Sequence, residues 1–472
     1  MPVDPVGKWI IMDEGKEVTP LAQQHIDFST GPMWRRILNQ ALPLTAAQLV
    51  QLLYNVVDRI YIGHMGDGSG MALTGVGLTF PIVTLIMVFT ALFGMGGVPL
   101  FSMARGAGEP ERAARFLGNS CALLLGSSLV LTAAGYLFCR PILFAFGASE
   151  DSYVYAKSYL DIYLLGTIFS MTATGLNGYI NAQGFPKIGM YAILLGAVTN
   201  IILDPVFIFL LDMEVAGAAL ATVLSQALSA VWVLRFLLRR DNPVPLTPGR
   251  IRADRQTTGQ ILKLGTASFI MQGTNCLVQV ACNSTLQLFG GDLYVGIMTV
   301  LNSIREIFVL PINGIVNGSQ SVISYNYGAR LYDRVRAGIR FNTWVGTVYT
   351  TAAWLLVVLL PRFWFGIFND DPLMADPGVR VLKLYFFGFV FMSLQFSGQT
   401  TFQALGDAKH AIFFSLLRKA IIVVPLTLLL PRLGFGVDGV FLAEPISNII
   451  GGTACYLTMR LTVYRKLAQN TR

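Results

Sequence analysis

Long apolar blocks alternate with short polar joints along the whole chain. Each block is near or above the roughly 20 residues that cross the hydrocarbon core of a bilayer. The pattern predicts twelve helices, over residues 36–63, 74–103, 115–139, 154–182, 187–211, 215–238, 259–289, 295–325, 337–361, 377–404, 408–430 and 436–462. Many exceed what the core demands, which permits tilt or a bent end. The fold class this implies is an all-α polytopic membrane protein, its twelve transmembrane helices set in two pseudo-symmetric six-helix bundles. Two longer polar stretches punctuate it: residues 1–33, and 239–258 (RRDNPVPLTPGRIRADRQTT). The expected organisation is an N-terminal segment 1–33, a first lobe 34–238, a linker 239–258, a second lobe 259–465 and a tail 466–472.

The two lobes repeat one another. A shift of 222 residues pairs Ser102 with Ser324, Gly106 with Gly328, Arg112 with Arg334, Tyr163 with Tyr385, Gly184 with Gly406, Lys187 with Lys409, and Gly217 with Gly439. A register held over six apolar blocks points to duplication. Each repeat has an even number of spans, so both insert the same way up and are related by an axis along the membrane normal. Transporters of this design hold substrate between the halves and rock around it.

Composition agrees: 54% of residues are hydrophobic and 13% charged, against about a quarter charged in soluble domains. The net charge of +8 does not indicate nucleic acid. Of the 34 Lys and Arg, 22 fall on one set of joints and 6 on the other. The positive-inside rule makes the first set, and both termini, cytoplasmic. Residues 1–33 lack an apolar stretch with a small-residue cleavage site, so no signal peptide is expected. The five cysteines form no CxxC and suggest neither disulfides nor zinc; they read as small buried residues.

Charged residues inside a span cost roughly 2.5–3.5 kcal/mol each on insertion scales, so each is a functional candidate. In helix 1, Gln51, Tyr54, Asn55 and Asp58 recur at three- and four-residue spacing and share one face; a salt bridge to another helix is the alternative for Asp58. In helix 5, Asp204 follows Asn200 by one turn and precedes Pro205, which cannot donate a backbone hydrogen bond. Carboxylate, amide and freed carbonyl make a hard-oxygen set suited to a proton or Na⁺; a proline kink with a hydrogen-bonded Asp is the alternative. Thr222 of helix 6 could add a hydroxyl. Two carboxylates close together in a low-dielectric bundle should not both stay ionised without a cation, and this is a basis for ion coupling. The second half offers Arg305 and Glu306 in helix 8, Arg418 in helix 11 and Glu444 in helix 12. Glu306 could face the cavity and attract a cationic substrate, or Arg305 could pair with Glu306 or Glu444 as structural glue. Gln272, Asn275 and Gln279 share a face of helix 7 and either line the cavity or join helices. No metalloprotease, nucleotide-binding or nucleophile motif is present, so an enzyme is not expected and an ion gradient is the expected energy source.

These residues carry a resemblance to the multidrug and toxic compound extrusion (MATE) family. It rests on Pro43 and VDRIYIG in helix 1, SMARGAGEPERA (102–113) with its repeat SYNYGARLYDRV (324–335), NAQGFPK (181–187), NIILDP (200–205) and AGAALATVLSQ (216–226), over residues 34 to 465. The resemblance implies a twelve-helix antiporter exporting organic cations or drugs in exchange for H⁺ or Na⁺, with no cofactor. It also implies a monomer in a bacterial cytoplasmic membrane. The DinF-like branch is suggested, whose acidic cluster falls on Asp58, Asn200, Asp204 and Thr222, with Asn177 of helix 4 nearby; a Na⁺ would bind at Asp58, Asn200 and Asp204. The second half is then cavity wall and rocking partner. The alternative is a flippase for a lipid-linked glycan precursor. Such flippases generally have extra helices and a strongly cationic cavity, whereas the clearest buried charges here are acidic.

Overall fold

A computed structural model describes residues 10–11, 19–20, 25–63, 69–146, 148–368 and 372–469. Among these, apart from a two-residue strand pair (Ile10–Ile11 with Thr19–Pro20), the regular structure is helical. The first six rods are α1 Met33–Gly63, α2 69–106, α3 Pro110–Ala145, α4 150–182, α5 Pro186–Leu210 and α6 Glu214–Leu237. The second six are α7 255–290, α8 292–328, α9 Tyr332–Leu359, α10 372–404, α11 Ala408–Leu433 and α12 Gly436–Gln469. The apolar blocks therefore end within a few residues of where the hydrophobic pattern places them, except that α12 runs seven residues further.

Three local features were not anticipated. Helices 7 and 8 are joined without a loop: Gly291, at φ +66°, alone turns the chain between them, because glycine reaches that conformation at no steric cost. Helix 4 breaks at Gly166, between Glu150–Leu165 and Thr167–Ala182. Widened π turns interrupt α2 (Ala91–Met95), α5 (Val206–Leu210, directly after Pro205), α11 (Leu417–Val423, just before Pro425) and α12 (Asn448–Gly452, shortly after Pro445). Proline removes an i→i−4 bond, and π turns of this kind often mark functional sites.

The duplication is visible in the packing. A Cβ on Gly106 would collide with the Tyr325 carbonyl oxygen, and one on Gly328 with the Met103 carbonyl oxygen. Met103 and Tyr325 are themselves 222 apart, so the contact is reciprocal and the pseudo-two-fold axis passes between α2 and α8. Gly184 and Gly406, also 222 apart, both take positive φ (90° and 76°) in the turns before α5 and α11. Small residues continue the seam: Gly96 of α2 abuts Gly265 of α7, and Gly314 and Gly318 of α8 abut Thr45 and Ala41 of α1. Without water to drive association, such close backbone approach is what holds helices together in lipid. The seam runs from Gly106 to a Phe89–Phe269 edge contact at 5.6 Å, about 25 Å of helix.

One apolar core lies wholly in residues 82–261 and another in 282–441. A third, at the end of the bundle rich in arginine, joins Phe28, Met33 and Ile37 to Ile323, Ile339, Phe402 and Phe414. The start of α1 thus packs with second-half helices, although the chain pattern assigns it to the first lobe. Residues 25–31 tie both halves at that end. Ile26 N donates to Gly184 O at 2.9 Å, Asn326 Nδ2 to Phe28 O at 3.0 Å, and Arg334 to Phe28 O and Gly31 O at 2.9 and 2.7 Å.

Candidate functional site

In the first half, α1, α4, α5 and α6 bring together one buried polar cluster. Asp204 is fully buried one residue before the proline that opens the π turn of α5. Asn200, one turn earlier on the same face, donates from Nδ2 to Asp204 Oδ1 at 3.2 Å and to Thr222 Oγ1 of α6 at 3.3 Å. Asp58 of α1 lies in hydrogen-bonding and electrostatic contact with Asp204. Tyr54, one turn before Asp58, and Tyr159 of α4 both reach the Thr222 hydroxyl and sit beside Asp58; Tyr159 stacks on Tyr163 at 5.7 Å. Asn200 Oδ1 and Asp204 Oδ2 are buried and receive no hydrogen bond, and no Lys or Arg acts on Asp204 among the described groups. Two adjacent carboxyl groups with buried acceptor oxygens are stabilised by a small cation, H⁺ or Na⁺. Among the described residues, no group of three or more His, Cys, Asp or Glu side chains is arranged to hold a metal ion.

The second half builds the opposite polarity on the same scaffold. Lys419, in the π turn of α11, donates to both oxygens of Glu444 in α12, at 2.9 and 3.2 Å, with both side chains buried. Arg418 and Arg305 approach the same carboxylate at 3.5 and 3.6 Å, and Arg418 also bonds Asn448 Oδ1 in the π turn of α12. Beside this cluster opens a cleft of about 130 Å³, lined by Asn275, Gln279, Asn302, Arg305, Tyr385, Lys419 and Glu444 among others.

The MatE family profile matches residues 43–206 and again 267–429, once in each half and together well over half of the chain. The chain belongs to the MatE family. Like other members of this transporter family it is not an enzyme. Multidrug export protein MepA of Staphylococcus aureus (strain N315) is 24% identical over 442 residues, 93% of this chain and 95% of the relative. MepA of Staphylococcus saprophyticus is 24% identical over 444 residues, with the same shares covered. A MATE structure in the bent conformation superposes with a TM-score of 0.88 at 22% identity, covering 96% of this chain and all of the other. A multidrug resistance MATE family transporter in an outward-facing conformation gives 0.87 at 22%, covering 97% and 100%. These likenesses bear on the fold.

Within this MatE chain the structure brings together Asp58, Asn200, Asp204 and Thr222, the positions onto which the resemblance carried the family's acidic cluster. It separates Asn177 from them: Asn177 Nδ2 donates to Gly189 O at 3.2 Å, 15 residues before Asp204, or about 22 Å along α5. Asn177 answers a backbone carbonyl between α4 and α5 instead. Tyr54, expected in the substrate cavity, is instead at the carboxylates. Gln51 is exposed, and the side chain of Asn55 lies outside the described residues. In the second half, Asn275, Gln279 and Arg305 do line one cleft, and Gln272 is half-buried on the same helix. Glu306 is exposed and does not line the cleft; the carboxylate there is Glu444. Of the cysteines, Cys276 is exposed rather than buried. The expectation that the clearest buried charges are acidic holds only for the first half. Lys419 went unremarked although it is a charge inside a span, the signal that would have found it. Tyr159 carried no such signal, because a tyrosine in an apolar helix is ordinary.

Proposed function

We propose that this chain is a secondary active exporter of amphipathic organic cations or drugs, of the DinF-like branch, which exchanges them for H⁺ or Na⁺ bound at Asp58, Asn200, Asp204 and Thr222. The observation that carries this is the contact of the Asp58 and Asp204 carboxyl groups, with Asn200 and Thr222 beside them, in one cluster built by four helices of one half. Cation binding there removes the cost of two buried charges and so biases one arrangement of the helices over another. The MepA relatives are named for multidrug export, which supports the substrate class. The excess of Lys and Arg assigns the sealed end of the seam, with Arg105 and Arg334, to the cytoplasm. On that assignment the halves are shut inward, both termini are inside, and the protein works as a monomer in a bacterial inner membrane. The lobes then divide at the linker 239–258, of which residues 255–258 form the first turn of α7.

The test is ethidium efflux from proteoliposomes, with ΔpH and ΔNa⁺ collapsed separately, for wild type and Asp58→Asn. Wild-type efflux should stop when one gradient is removed, and Asp58→Asn should lose that dependence. Unchanged coupling in Asp58→Asn, or efflux that needs ATP and neither gradient, would sink the reading. The cationic cleft of the second half favours the flippase alternative, whereas the acidic pair of the first half favours the exporter.

A further inference from the structure

Three cations surround one buried carboxylate in the second half. Lys419, Arg418 and Arg305 all approach Glu444 within 3.6 Å, which leaves a local excess of two positive charges; counting exposed Glu306 beside Arg305, an excess of one remains. A buried charge is costly unless paired, and Glu444 cannot satisfy three partners at full strength. The cluster borders open space, with Lys419 buried at its wall and Arg305 partly exposed. Lys419 and Arg305 line the cleft, and the Arg305 side chain keeps 29% of its exposure. The same cleft presents the amides of Asn275, Gln279 and Asn302, which can donate to an oxyanion. Its wall is otherwise apolar, from Val278, Met298 and Val440 among others. Arginine and lysine donors converging on a pocket with amides at its rim are the usual arrangement for a carboxylate, sulfonate or phosphate group.

We propose that this cleft is a binding site for the anionic group of an amphipathic substrate, seated on Lys419 and Arg305 with its apolar body against the cleft wall. The transported molecules then include zwitterions and organic anions, not organic cations alone. Recruiting an anion here neutralises the excess charge that Glu444 leaves, while the carboxylates of the first half remain free to take the driving cation. As a substrate class this rests on the exporter reading; as a binding site it does not.

The experiment is equilibrium binding to the full-length protein in nanodiscs, with no gradient and no transport step. The probes are dansylglycine and dansylglycinamide, which share one fluorophore and differ in a carboxylate. Wild type should bind dansylglycine at least tenfold more tightly than the amide. Lys419→Gln and Arg305→Gln should each erase most of that difference and leave amide binding unchanged. Arg305 is the outer member of the cluster, so its variant keeps the test open if Lys419→Gln does not fold. Equal affinity for both probes in wild type, no binding of either, or an undiminished preference in Arg305→Gln would overturn the proposal. Gradient-driven ethidium efflux that fails while the dansylglycine preference stands would refute the exporter and leave the anion site.

Discussion

The two halves of this molecule share one scaffold and carry opposite charge. The 222-residue shift that pairs Gly106 with Gly328 also pairs Thr222 with Glu444, and both of these sit at the centre of their half's polar cluster. In the first half Thr222 receives an amide beside two carboxyl groups; in the second, Glu444 receives three cations. Asp204 has Leu426 opposite it, and Lys419 has Ala197. Duplication thus kept one polar position, Thr222 and Glu444, and placed different charged partners around it in each half. The difference teaches that two repeats on one scaffold can carry polar clusters of opposite charge, and on the proposed reading it divides ion coupling from substrate recognition.

Paired substitutions at equivalent positions can break this comparison. Glu444→Ala leaves Lys419 buried without its carboxylate and takes the shared partner from Arg418 and Arg305, and should cost about 3–5 kcal/mol, whereas Thr222→Ala removes one neutral hydrogen-bond partner and should cost about 1 kcal/mol. Denaturant unfolding in detergent compares them, and equal losses would contradict the charge asymmetry. Gly106→Val and Gly328→Val each force a side chain into the facing carbonyl and should cost about 1–3 kcal/mol each. Since the contact is reciprocal, the two losses should match, and a marked inequality would mean the halves do not pack symmetrically. Asn200→Ala should raise the cation concentration needed for half-maximal efflux about tenfold. Asn177→Ala should leave it within about twofold, because Asn177 serves the Gly189 carbonyl instead.

The smallest effect concerns residues 25–31, which tie both halves together. The His25 pKa is lowered, first by desolvation where the ring meets Phe185 and then by the Arg105 guanidinium, against the opposing pull of Asp27. Docking therefore favours the neutral ring. Its contribution is complete above the unfolded pKa near 6.5 and is lost as pH falls from there toward the lower docked value. The protection of the amides of residues 25–31, relative to their intrinsic exchange rates at each pH, should be lower at pH 5.5 than at 7.5 in wild type, and His25→Gln should flatten the difference.

The helices and the duplication were legible because hydrophobic blocks and a fixed register survive in the residues themselves. Asp58, Asn200 and Asp204 were legible because charged and amide groups in a span stand out, whereas Thr222 and the joining of all four were implied by the family resemblance. Asn177 misled because a polar residue on the neighbouring helix says nothing of its depth; a break at Gly166 and the pairing with Gly189 set that. The π turns were not legible, since prolines stand near three of them but the hydrophobic pattern does not distinguish a π turn from a regular one. Glu306 and Glu444 looked equivalent in the chain; burial alone distinguishes them.

The central claim is that the driving cation couples through the first half and not the second. Ethidium, which carries no anionic group, tests it directly: its efflux from proteoliposomes is measured with and without an imposed ΔpH or ΔNa⁺ in Asp204→Asn and Lys419→Gln. The account predicts that Asp204→Asn runs at the same rate with or without the gradient, while Lys419→Gln keeps the wild-type stimulation. Stimulation that survives in Asp204→Asn and vanishes in Lys419→Gln would contradict it.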